Sequence, residues 1–412
     1  MDVKQRVAIT GIGAITPIGT GVEELWHGVR SGRTAVDTIS RFDASQFSSR
    51  VAAEVDFDPL DYLPAKRVRR LDRFSQLALV SAKMALEDAR LPAECAARDG
   101  AGAYIGSALG GVAFGEEQHA SYVTHGPHKV NPMLALSVFG GAASSNVSIE
   151  LGLTGPSIAN GNSCAAGLIA IGEAARLIED GRADVMLAGG AEAPLAPLTF
   201  GAFTMIRVLS TRNDDPKTAS RPFDEGRDGF VIAEGATVLV LESFEHARAR
   251  GAHIHAEIAG YGTTIDAHHM TAPHPEGIHA ARAMREAICD AGLAPEDIDY
   301  VNAHGSSTVL NDPTECKAIR IALGDHAEAI PVSGTKGQHG HALGATGAME
   351  VAICALALQC GHLPGTVNMT HKDPACDLDV VPPGGRYQRI GHLLCNAFGF
   401  GGINASLAMR AA

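Results

Sequence analysis

One cysteine stands where a thiol could act as a nucleophile. Cys164 lies in the segment 160–167, and residues 165–181 carry apolar side chains every three or four positions. That spacing is the period of a helix with one buried face, and the Gly-Asn-Ser residues before Cys164 are typical of a tight turn. A thiol at a helix N-terminus lies near free N–H groups and the positive end of the dipole, and both favour the nucleophilic thiolate. The pattern also fits a small buried side chain, the usual role of an intracellular cysteine.

Three further segments carry polar residues where apolar runs end. His304 lies in 301–308, His341 lies in the glycine-rich segment 333–344, and 396–404 holds three glycines between aromatic residues. In α/β proteins the carboxyl ends of strands are where sites are built, and glycine permits a close approach to a ligand. An imidazole at a helix start is suited to donating a hydrogen bond to a substrate oxygen.

Other spacings are evidence against three kinds of site. None of the eight cysteines has a C-x-x-C spacing, so no zinc or dithiol motif is indicated. His339 and His341 lack a third ligand at helix or strand spacing, and we expect no metal. Gly11 and Gly13 begin a dinucleotide fingerprint, but Thr16 stands where its third glycine is needed. We therefore expect no cofactor.

Composition limits the class of protein. The 412 residues are 46% hydrophobic and 19% charged, as in a globular protein with room for two domain-sized units. The net charge is −13 and the densest basic patch is only 67–70, so no nucleic acid is expected, although an acidic partner could dock there. Residues 1–6 lack the apolar core of a signal peptide, and no membrane span is evident. We expect a cytoplasmic protein with reduced thiols.

Short apolar runs alternate with helical periodicity, which predicts the α/β class. Strands are predicted at 6–11, 102–106, 185–189, 237–241, 256–262, 300–303, 330–333, 393–396 and near 405–409. Helices are predicted at 22–31, 70–89, 165–180, 279–291, 313–323 and 348–360. The order of these elements repeats weakly, which predicts two similar α/β halves, 1–250 and 251–412, packed as one body.

The segments together resemble a known family. Cys164, the His304-Gly-Ser-Ser-Thr run, the Lys336 to Gly340-His341 run and the Gly-Phe-Gly-Gly-x-Asn loop look like the four signatures of β-ketoacyl-acyl carrier protein synthases. The match is to the elongating type I/II, closest to type II, in the thiolase superfamily. Segments 221–236 and 266–273 also resemble it, so the likeness spans essentially the whole chain. It implies a thiolase-like fold of two similar halves, layered α-β-α-β-α.

The resemblance also implies a reaction. It is the decarboxylative Claisen condensation of an acyl-enzyme thioester with malonyl-acyl carrier protein, which extends a fatty-acid or polyketide/polyene chain by two carbons. Cys164 would be the acyl-accepting nucleophile, with the N–H groups of Cys164 and Phe400 as the oxyanion hole. His304 and His341 would stabilise the enolate left when carbon dioxide departs. Phe400 would also act as a gate that moves between the two half-reactions.

Residues around these groups receive roles by the same resemblance. Lys336 and Glu350 would hold His341 and the charge of the site, with Glu315 and Asp312 completing that network. Whether a structural cation binds near these carboxylates is left open. The positions that match contacts to phosphopantetheine or substrate are Ser306, Thr308, Thr271, Phe398, Leu109 and Phe203, with Met133 as a further candidate for the acyl pocket.

The expected partners are acyl- and malonyl-loaded acyl carrier protein and a second subunit, identical or related. Some residues depart from the family pattern: Ser163, His339, Ile403 and Ser306 stand where Ala, Thr, Thr and Thr are usual. These departures leave open a specialised polyketide or polyene pathway. One alternative is the active ketosynthase subunit of a heterodimer with a non-catalytic partner. Another is a degradative thiolase with Cys395 as base, which the two histidines argue against.

Overall fold

The structure is a computed structural model that describes residues 4–98 and 100–412. Met1–Val3, part of the N-terminal segment 1–6 considered above, lie outside the described residues. The strands are β1 (Val7–Thr16), β2 (Gly19–Thr20), β3 (Asp37–Thr38), β4 (Val51–Ala52), β5 (Gly102–Gly106), β6 (Ser157–Asn160), β7 (Val185–Glu192), β8 (Gly235–Ser243), β9 (Ala256–Ile265), β10 (Tyr300–Asn302), β11 (Pro331–Ser333), β12 (His362–Leu363), β13 (Asp379–Val380), β14 (Arg386–Tyr387), β15 (His392–Gly399) and β16 (Ile403–Arg410). The helices are α1 (Val22–Ser31), α2 (Ala65–Val68), α3 (Arg73–Asp88), α4 (Ala93–Arg98), α5 (Val112–His125), α6 (Leu134–Ser137), α7 (Ala142–Leu151), α8 (Ala166–Glu179), α9 (Pro197–Met205), α10 (Phe244–Ala249), α11 (Ile278–Asp290), α12 (Asn311–Leu323), α13 (Lys336–His339) and α14 (Thr346–Cys360).

Among the described residues, twelve strands form one mixed sheet. Its order is β13-β11-β10-β15-β16-β9-β1-β8-β7-β5-β6, with β2 beside β1. The strands from β15 to β7 pair antiparallel, and those at either end pair parallel. Read outward from the β1–β9 pair, β8-β7-β5-β6 on one side corresponds to β16-β15-β10-β11 on the other. The pattern therefore repeats within the chain, while the predicted division at residue 250 stays a prediction.

Alternation along the strands divides the described core around the sheet into three large clusters. In β8, Leu239 and Leu241 join a central cluster, whereas Val238 and Val240 join an outer one. Successive side chains of a strand point to opposite faces of the sheet, so one strand serves two helical layers. The central cluster takes in α8 and α14, one outer cluster takes in α3 and α7, and the other takes in α11 and α12. The predicted α-β-α-β-α layering is confirmed.

The two glycines of the incomplete dinucleotide fingerprint have a packing role. A Cβ added at Gly11 would lie 2.2 Å from the carbonyl oxygen of Ala85, and one at Gly13 would lie 1.9 Å from that of Ser81. Both carbonyls belong to α3, so only glycine lets this helix lie directly on β1. Both glycines lie inside β1.

The predicted elements are all present, with ends that shift by a few residues. α1 and β5 have the predicted bounds. Several elements were not predicted, among them β6 and the helices α5, α7 and α9. Their apolar residues do not gather on one face, so they lack the periodicity on which such predictions rest. These segments are buried where the neighbouring layers of the fold cover them.

One helical stretch in the described chain, Leu343–Cys360, is long and apolar enough to cross a membrane by length and composition. In the structure 89% of it is buried within the protein. Apolar residues surround this helix on all sides because it lies in the central layer, against α8 on one side and both halves of the sheet. Its composition is therefore that of a core helix.

Candidate active site

Cys164 sits on a strained turn between β6 and α8. A short 3-10 turn, Ser163–Ala165, precedes the α-helix. Ser163 has a φ of +48°, in the left-handed region that residues other than glycine rarely adopt. The Asn160 side chain holds the turn, because its amide donates to the Ala166 carbonyl at 3.0 Å and its oxygen accepts from the Asn162 N–H at 3.1 Å. The turn fixes the thiol at the first turn of α8, with 7% of Cys164 exposed.

The glycine-rich loop between β15 and β16 lies directly over the cysteine. A Cβ at Gly399 would lie 3.1 Å from the backbone nitrogen of Cys164, so a larger residue would push the loop away. Gly401 and Gly402 have φ values of 90° and 77°, which glycine adopts without strain. The backbone N–H groups of Phe400 and Cys164 lie close enough to the sulfur to lower the pKa of the Cys164 thiol. Two main-chain N–H groups therefore lie near the reactive atom.

Two histidines face each other across the same site. His304 follows β10 and His341 follows α13, and their ring centroids are 5.3 Å apart with the planes at 79°. Both are buried, with 4% and 2% exposed. His341 Nδ1 lies 3.0 Å from the hydroxyl oxygen of Thr346, while His304 Nδ1 has no hydrogen-bond partner among the described residues.

Lys336 and Glu350 form a fully buried ion pair behind the histidines. The Lys336 ammonium lies 2.6 Å from Glu350 Oε1, and the Thr335 hydroxyl donates to the same oxygen at 3.2 Å. Lys336 also donates to the backbone carbonyl of His304. The lysine thus holds the main chain of His304, while Thr346 holds the ring of His341; the role predicted for the pair toward His341 stays a prediction. The lysine reaches His304 because the parallel pairing of β10 with β11 brings their carboxyl ends side by side.

The carboxylates of α12 support the same segment. Glu315 accepts the backbone N–H groups of His304 and Gly305, each at 2.8 Å, through its two oxygens. Asp312 accepts the N–H of Phe223 at 2.9 Å. Glu315 therefore positions the backbone of His304 directly, whereas Asp312 anchors a neighbouring loop. In the parts of the chain that are described, no group of three or more His, Cys, Asp or Glu side chains is arranged to hold a metal ion.

Both histidines are neutral near pH 7. Burial lowers the pKa of His304 well below its usual value, and the charge of Lys336 and the ring of His341 lower it further. Burial also lowers the pKa of His341 well below its usual value, and the charge of Lys336 lowers it further. Burial also raises the pKa of Glu350 to about 7, against the opposing effect of Lys336. A neutral imidazole can donate a hydrogen bond to a developing negative charge without first losing a proton.

The thiolate expected at Cys164 is not the form that the resting site favours. Burial raises the pKa of Cys164 to about 12, and it outweighs the Phe400 N–H and the charge of Lys336, which both lower it. The position at a helix start was read correctly, but the sequence does not show how far the sulfur is removed from water. The resting enzyme thus holds a thiol.

The raised pKa predicts a pH-dependent reactivity. Below its pKa, the fraction of a thiol present as thiolate grows about tenfold per pH unit, and the thiolate is the nucleophile. We expect alkylation of Cys164 by iodoacetamide to keep accelerating from pH 7 to pH 9, measured by peptide mass spectrometry with the exposed Cys360 as an internal reference. A rate at Cys164 that is constant across this range would mean that the thiolate already exists at rest.

A cavity of about 180 Å³ joins these groups to the surface. It is lined by the nucleophile, both histidines and most of the predicted substrate contacts, namely Cys164, His304, His341, Phe400, Phe398, Ser306, Thr308 and Thr271. The hydroxyls of Ser306 and Thr308 are 2.9 Å apart along one wall. Val309 and Leu310 at the mouth are more than half exposed. The cavity is therefore a channel that leads from solvent to the thiol.

An apolar cluster lies on the inner side of Cys164. It contains Cys164 itself, Phe230 and Phe200, and both Leu109 and Phe203 pack against it. The structure thus places these two predicted acyl-pocket residues beside the nucleophile. Met133 is neither in this cluster nor along the described cavity. Apolar side chains therefore pack on the side of the sulfur away from the cavity.

Two residues of the site were missed in the sequence. Phe230 stands edge-on to His341 at a centroid distance of 5.1 Å and lies 6.5 Å from the Phe400 ring. Glu192 ends β7 with a fully buried carboxylate. An acidic residue directly after an apolar strand was the signal for Glu192, the same kind of signal that singled out His304. Phe230 had no such signal, because an aromatic residue in an apolar run is typical of the hydrophobic core.

Comparisons with known proteins come from sequence and from structure. The N-terminal domain of the beta-ketoacyl synthase family matches residues 4–247, and its C-terminal domain matches residues 255–370. The chain is 45% identical over 407 residues to a 3-oxoacyl-[acyl-carrier-protein] synthase 2 of Coxiella burnetii, covering 98% of both chains. The enzyme of the same name from Synechocystis is 44% identical over 408 residues, with 99% and 98% covered.

Solved structures give the same result. The ketosynthase of a type II polyketide complex, bound to its acyl-carrier protein and a hexaketide, superposes with a TM-score of 0.91 at 37% identity, covering 99% of this chain and 100% of that one. The ishigamide ketosynthase/chain length factor superposes with a TM-score of 0.92 at 36% identity, with the same coverage.

Proposed function

The chain belongs to the β-ketoacyl synthase family, and from that premise we propose that Cys164, His304 and His341 perform a carrier-protein-dependent, chain-elongating condensation. The observation that carries these assignments is a single channel that holds a thiol, two main-chain N–H groups near its sulfur and two neutral imidazoles. The thiolase-like fold brings the thiol from one half of the chain and both imidazoles from the other.

In the first half-reaction the Cys164 sulfur attacks the carbonyl carbon of an acyl-carrier protein thioester. The carbonyl oxygen becomes an oxyanion that accepts hydrogen bonds from the N–H groups of Cys164 and Phe400. Losing one such donor typically raises the activation barrier by about 2.7–4 kcal/mol. The old carbon–sulfur bond then breaks, and the carrier thiol leaves with the proton that Cys164 gives up. Since the resting thiol is protonated, attack and proton transfer are coupled.

In the second half-reaction the malonyl-carrier protein occupies the emptied channel. Its carbon–carbon bond to the carboxylate breaks, carbon dioxide leaves, and the electron pair becomes an enolate on the thioester oxygen. His304 and His341 donate to that oxygen, each through the ring nitrogen that faces the channel. The enolate carbon attacks the acyl group on Cys164, the acyl–sulfur bond breaks, and the Cys164 thiolate that leaves takes up one proton from solvent, which restores the thiol. The product is a β-ketoacyl chain two carbons longer.

Lys336 acts on this step through the histidines. Burial lowers the pKa of both rings and the charge of Lys336 lowers it further, so the rings stay neutral and able to donate while the enolate forms. Glu350 balances the buried ammonium, and Glu315 fixes the main chain of His304. These three residues position the site and do not reach the substrate.

The outer part of the channel receives the phosphopantetheine arm. Ser306, Thr308, Thr271 and Phe398 line it. Phe400 stands at the junction between this arm and the apolar acyl pocket, so its ring must move when the acyl chain enters. Leu109 and Phe203 pack against the apolar cluster beside Cys164, where the acyl chain would be accommodated.

We expect the double variant Ser306→Ala, Thr308→Val to weaken recognition of the arm. Two neutral hydrogen bonds at about 1 kcal/mol each correspond to a rise of roughly 10- to 30-fold in KM for malonyl-carrier protein, with kcat changed much less. The measurement is steady-state decarboxylation at varied carrier-protein concentration. A fall in kcat at unchanged KM would place the hydroxyls in the chemical step.

The partners are an acyl carrier protein and a second subunit, identical or related. A second candidate is the active subunit of a heterodimer, favoured by the likeness to the ketosynthase/chain length factor structure. The degradative alternative has less support, because Cys395 is buried beside Cys354 in the core and does not line the channel. We also propose the division into halves at 1–250 and 251–412 and a cytoplasmic location.

Reconstitution tests the function. Purified chain, an acyl-loaded carrier protein and malonyl-carrier protein should give a β-ketoacyl carrier protein two carbons longer, read by intact mass. Loading with chains of varied length and unsaturation reports the preferred substrate. Adding a candidate partner subunit separates the two assemblies: activity only in its presence favours the heterodimer. Cleavage of a β-ketoacyl thioester by coenzyme A without condensation would support the degradative alternative.

A further inference from the structure

The carboxylate of Glu192 is buried and accepts four hydrogen bonds. Its Oε2 accepts the backbone N–H groups of Ala108 at 2.7 Å and of Gly344 at 3.0 Å. Its Oε1 accepts the Ser107 hydroxyl and the Leu109 N–H, each at 3.1 Å. No part of Glu192 is exposed, and the reaction proposed above makes no use of it.

The donors come from two segments that shape the site. One is 107–109, which brings Leu109 to the apolar cluster around Cys164. The other contains Gly344, three residues after His341. The two segments touch, because a Cβ at Gly344 would lie 2.4 Å from the backbone nitrogen of Ala108. The same point borders the start of α8, since a Cβ at Gly167 would lie 2.7 Å from the Gly344 carbonyl oxygen.

We propose that Glu192 is a positioning residue that holds the acyl-pocket loop 107–109 against the segment 341–345, and so sets which acyl chains Cys164 accepts. The effect on the choice of acyl chain rests on the proposed function. The contact between the two segments does not depend on that function.

The chemistry of the side chain explains why a carboxylate is needed. Two acceptor oxygens satisfy four donors, and Oε2 alone bridges the two segments. A glutamine in its place would turn an NH₂ group either toward the Ala108 and Gly344 donors or toward the Leu109 donor. Either orientation leaves a buried backbone N–H unpaired, and an unpaired buried donor favours separation of the segments. Burial also raises the pKa of Glu192 to about 7, against the four donors.

A matched control exists on the neighbouring strand. Glu242 in β8 is equally buried and is bonded to Thr10, His246 and Arg250. It pairs with Val185 at the far end of β7, seven residues from Glu192, which is about 23 Å along the strand. Glu242→Gln therefore removes a buried carboxylate from the same sheet without touching the site.

The test compares Glu192→Gln with Glu242→Gln. Transfer of acyl chains of several lengths from carrier protein to Cys164 is followed by intact mass. We expect Glu192→Gln to change the ratio of rates for a long and a short chain by about fivefold or more, which is the effect of one lost hydrogen bond. Glu242→Gln should melt at a lower temperature and keep the wild-type ratio. Ser107→Ala, which removes one donor, should shift the ratio in the same direction by less and serves if Glu192→Gln does not fold.

Hydrogen exchange gives a second measurement that does not depend on activity. Peptides covering 105–112 and 340–347 should exchange faster in Glu192→Gln, and both should change together while peptides from β8 do not. Unchanged exchange in both peptides, or an unchanged chain-length ratio in an enzyme that accepts acyl chains, overturns the proposal. If wild type accepts no acyl chain, the proposed function fails, and exchange still decides whether Glu192 joins the two segments.

Discussion

Replacing Cys164 with alanine is expected to abolish condensation. Loss of a covalent nucleophile removes the acyl-enzyme, and losses on the scale of other nucleophiles predict a fall of at least about 10⁴-fold in turnover. The variant should take up no acyl group from acyl-carrier protein and no label from an electrophilic acyl-chain mimic, both measured by intact mass. It should still release carbon dioxide from malonyl-carrier protein, because the two histidines are untouched.

The control for this prediction is Cys289→Ala, which removes an exposed thiol remote from the channel. It should label and turn over as wild type does. Equal labelling of wild type and Cys164→Ala would show that another cysteine accepts the acyl group. Loss of decarboxylation together with condensation in a folded Cys164→Ala would mean that the thiol also acts in the second half-reaction.

Replacing either His304 or His341 with alanine is expected to remove decarboxylation. Each ring donates a hydrogen bond to the enolate oxygen, and groups of this kind typically contribute about 10²- to 10⁴-fold. Carbon dioxide release from malonyl-carrier protein measures the loss. Acyl transfer to Cys164 should survive in both variants, since the two main-chain N–H groups near the thiol remain.

His326→Ala is the control, because His326 is a partly buried histidine bonded to the Ile298 carbonyl and lies outside the channel. It should decarboxylate at the wild-type rate. Retained carbon dioxide release in both His304→Ala and His341→Ala would reject the pair as enolate ligands. Loss of acyl transfer in the same variants would instead assign a ring to the first half-reaction.

The reactive residues could be found from the sequence because their signals are local. Cys164, His304 and His341 each stand where an apolar run gives way to glycine and polar residues, and each is marked by its own neighbours. The glycine-rich loop was also visible, since its glycines are needed wherever the backbone passes close to another group. The helices α5, α7 and α9 had no such local signal.

Contacts between these segments could not be read in the same way. Lys336 was expected to hold His341, and the sequence did not show that the pairing of Asn302 with Ser333 brings it to the main chain of His304. The Cys164 thiolate was expected from a helix start, but burial by surrounding segments raises its pKa instead. The first depends on the register of two strands. The second depends on segments that lie more than a hundred positions from Cys164 in the sequence.

The amino-acid sequence by itself determined the class of fold, the order of its elements and the chemical groups of the site, since periodicity and residue type are properties of short segments. Tertiary structure decided which side chains meet, how far each is removed from water and therefore which ones are charged. Glu192 illustrates the difference: its position after an apolar strand is in the sequence, but its four donors come from two distant segments. Hydrogen bonding and desolvation depend on three-dimensional neighbours, and only the packed layers bring those neighbours together.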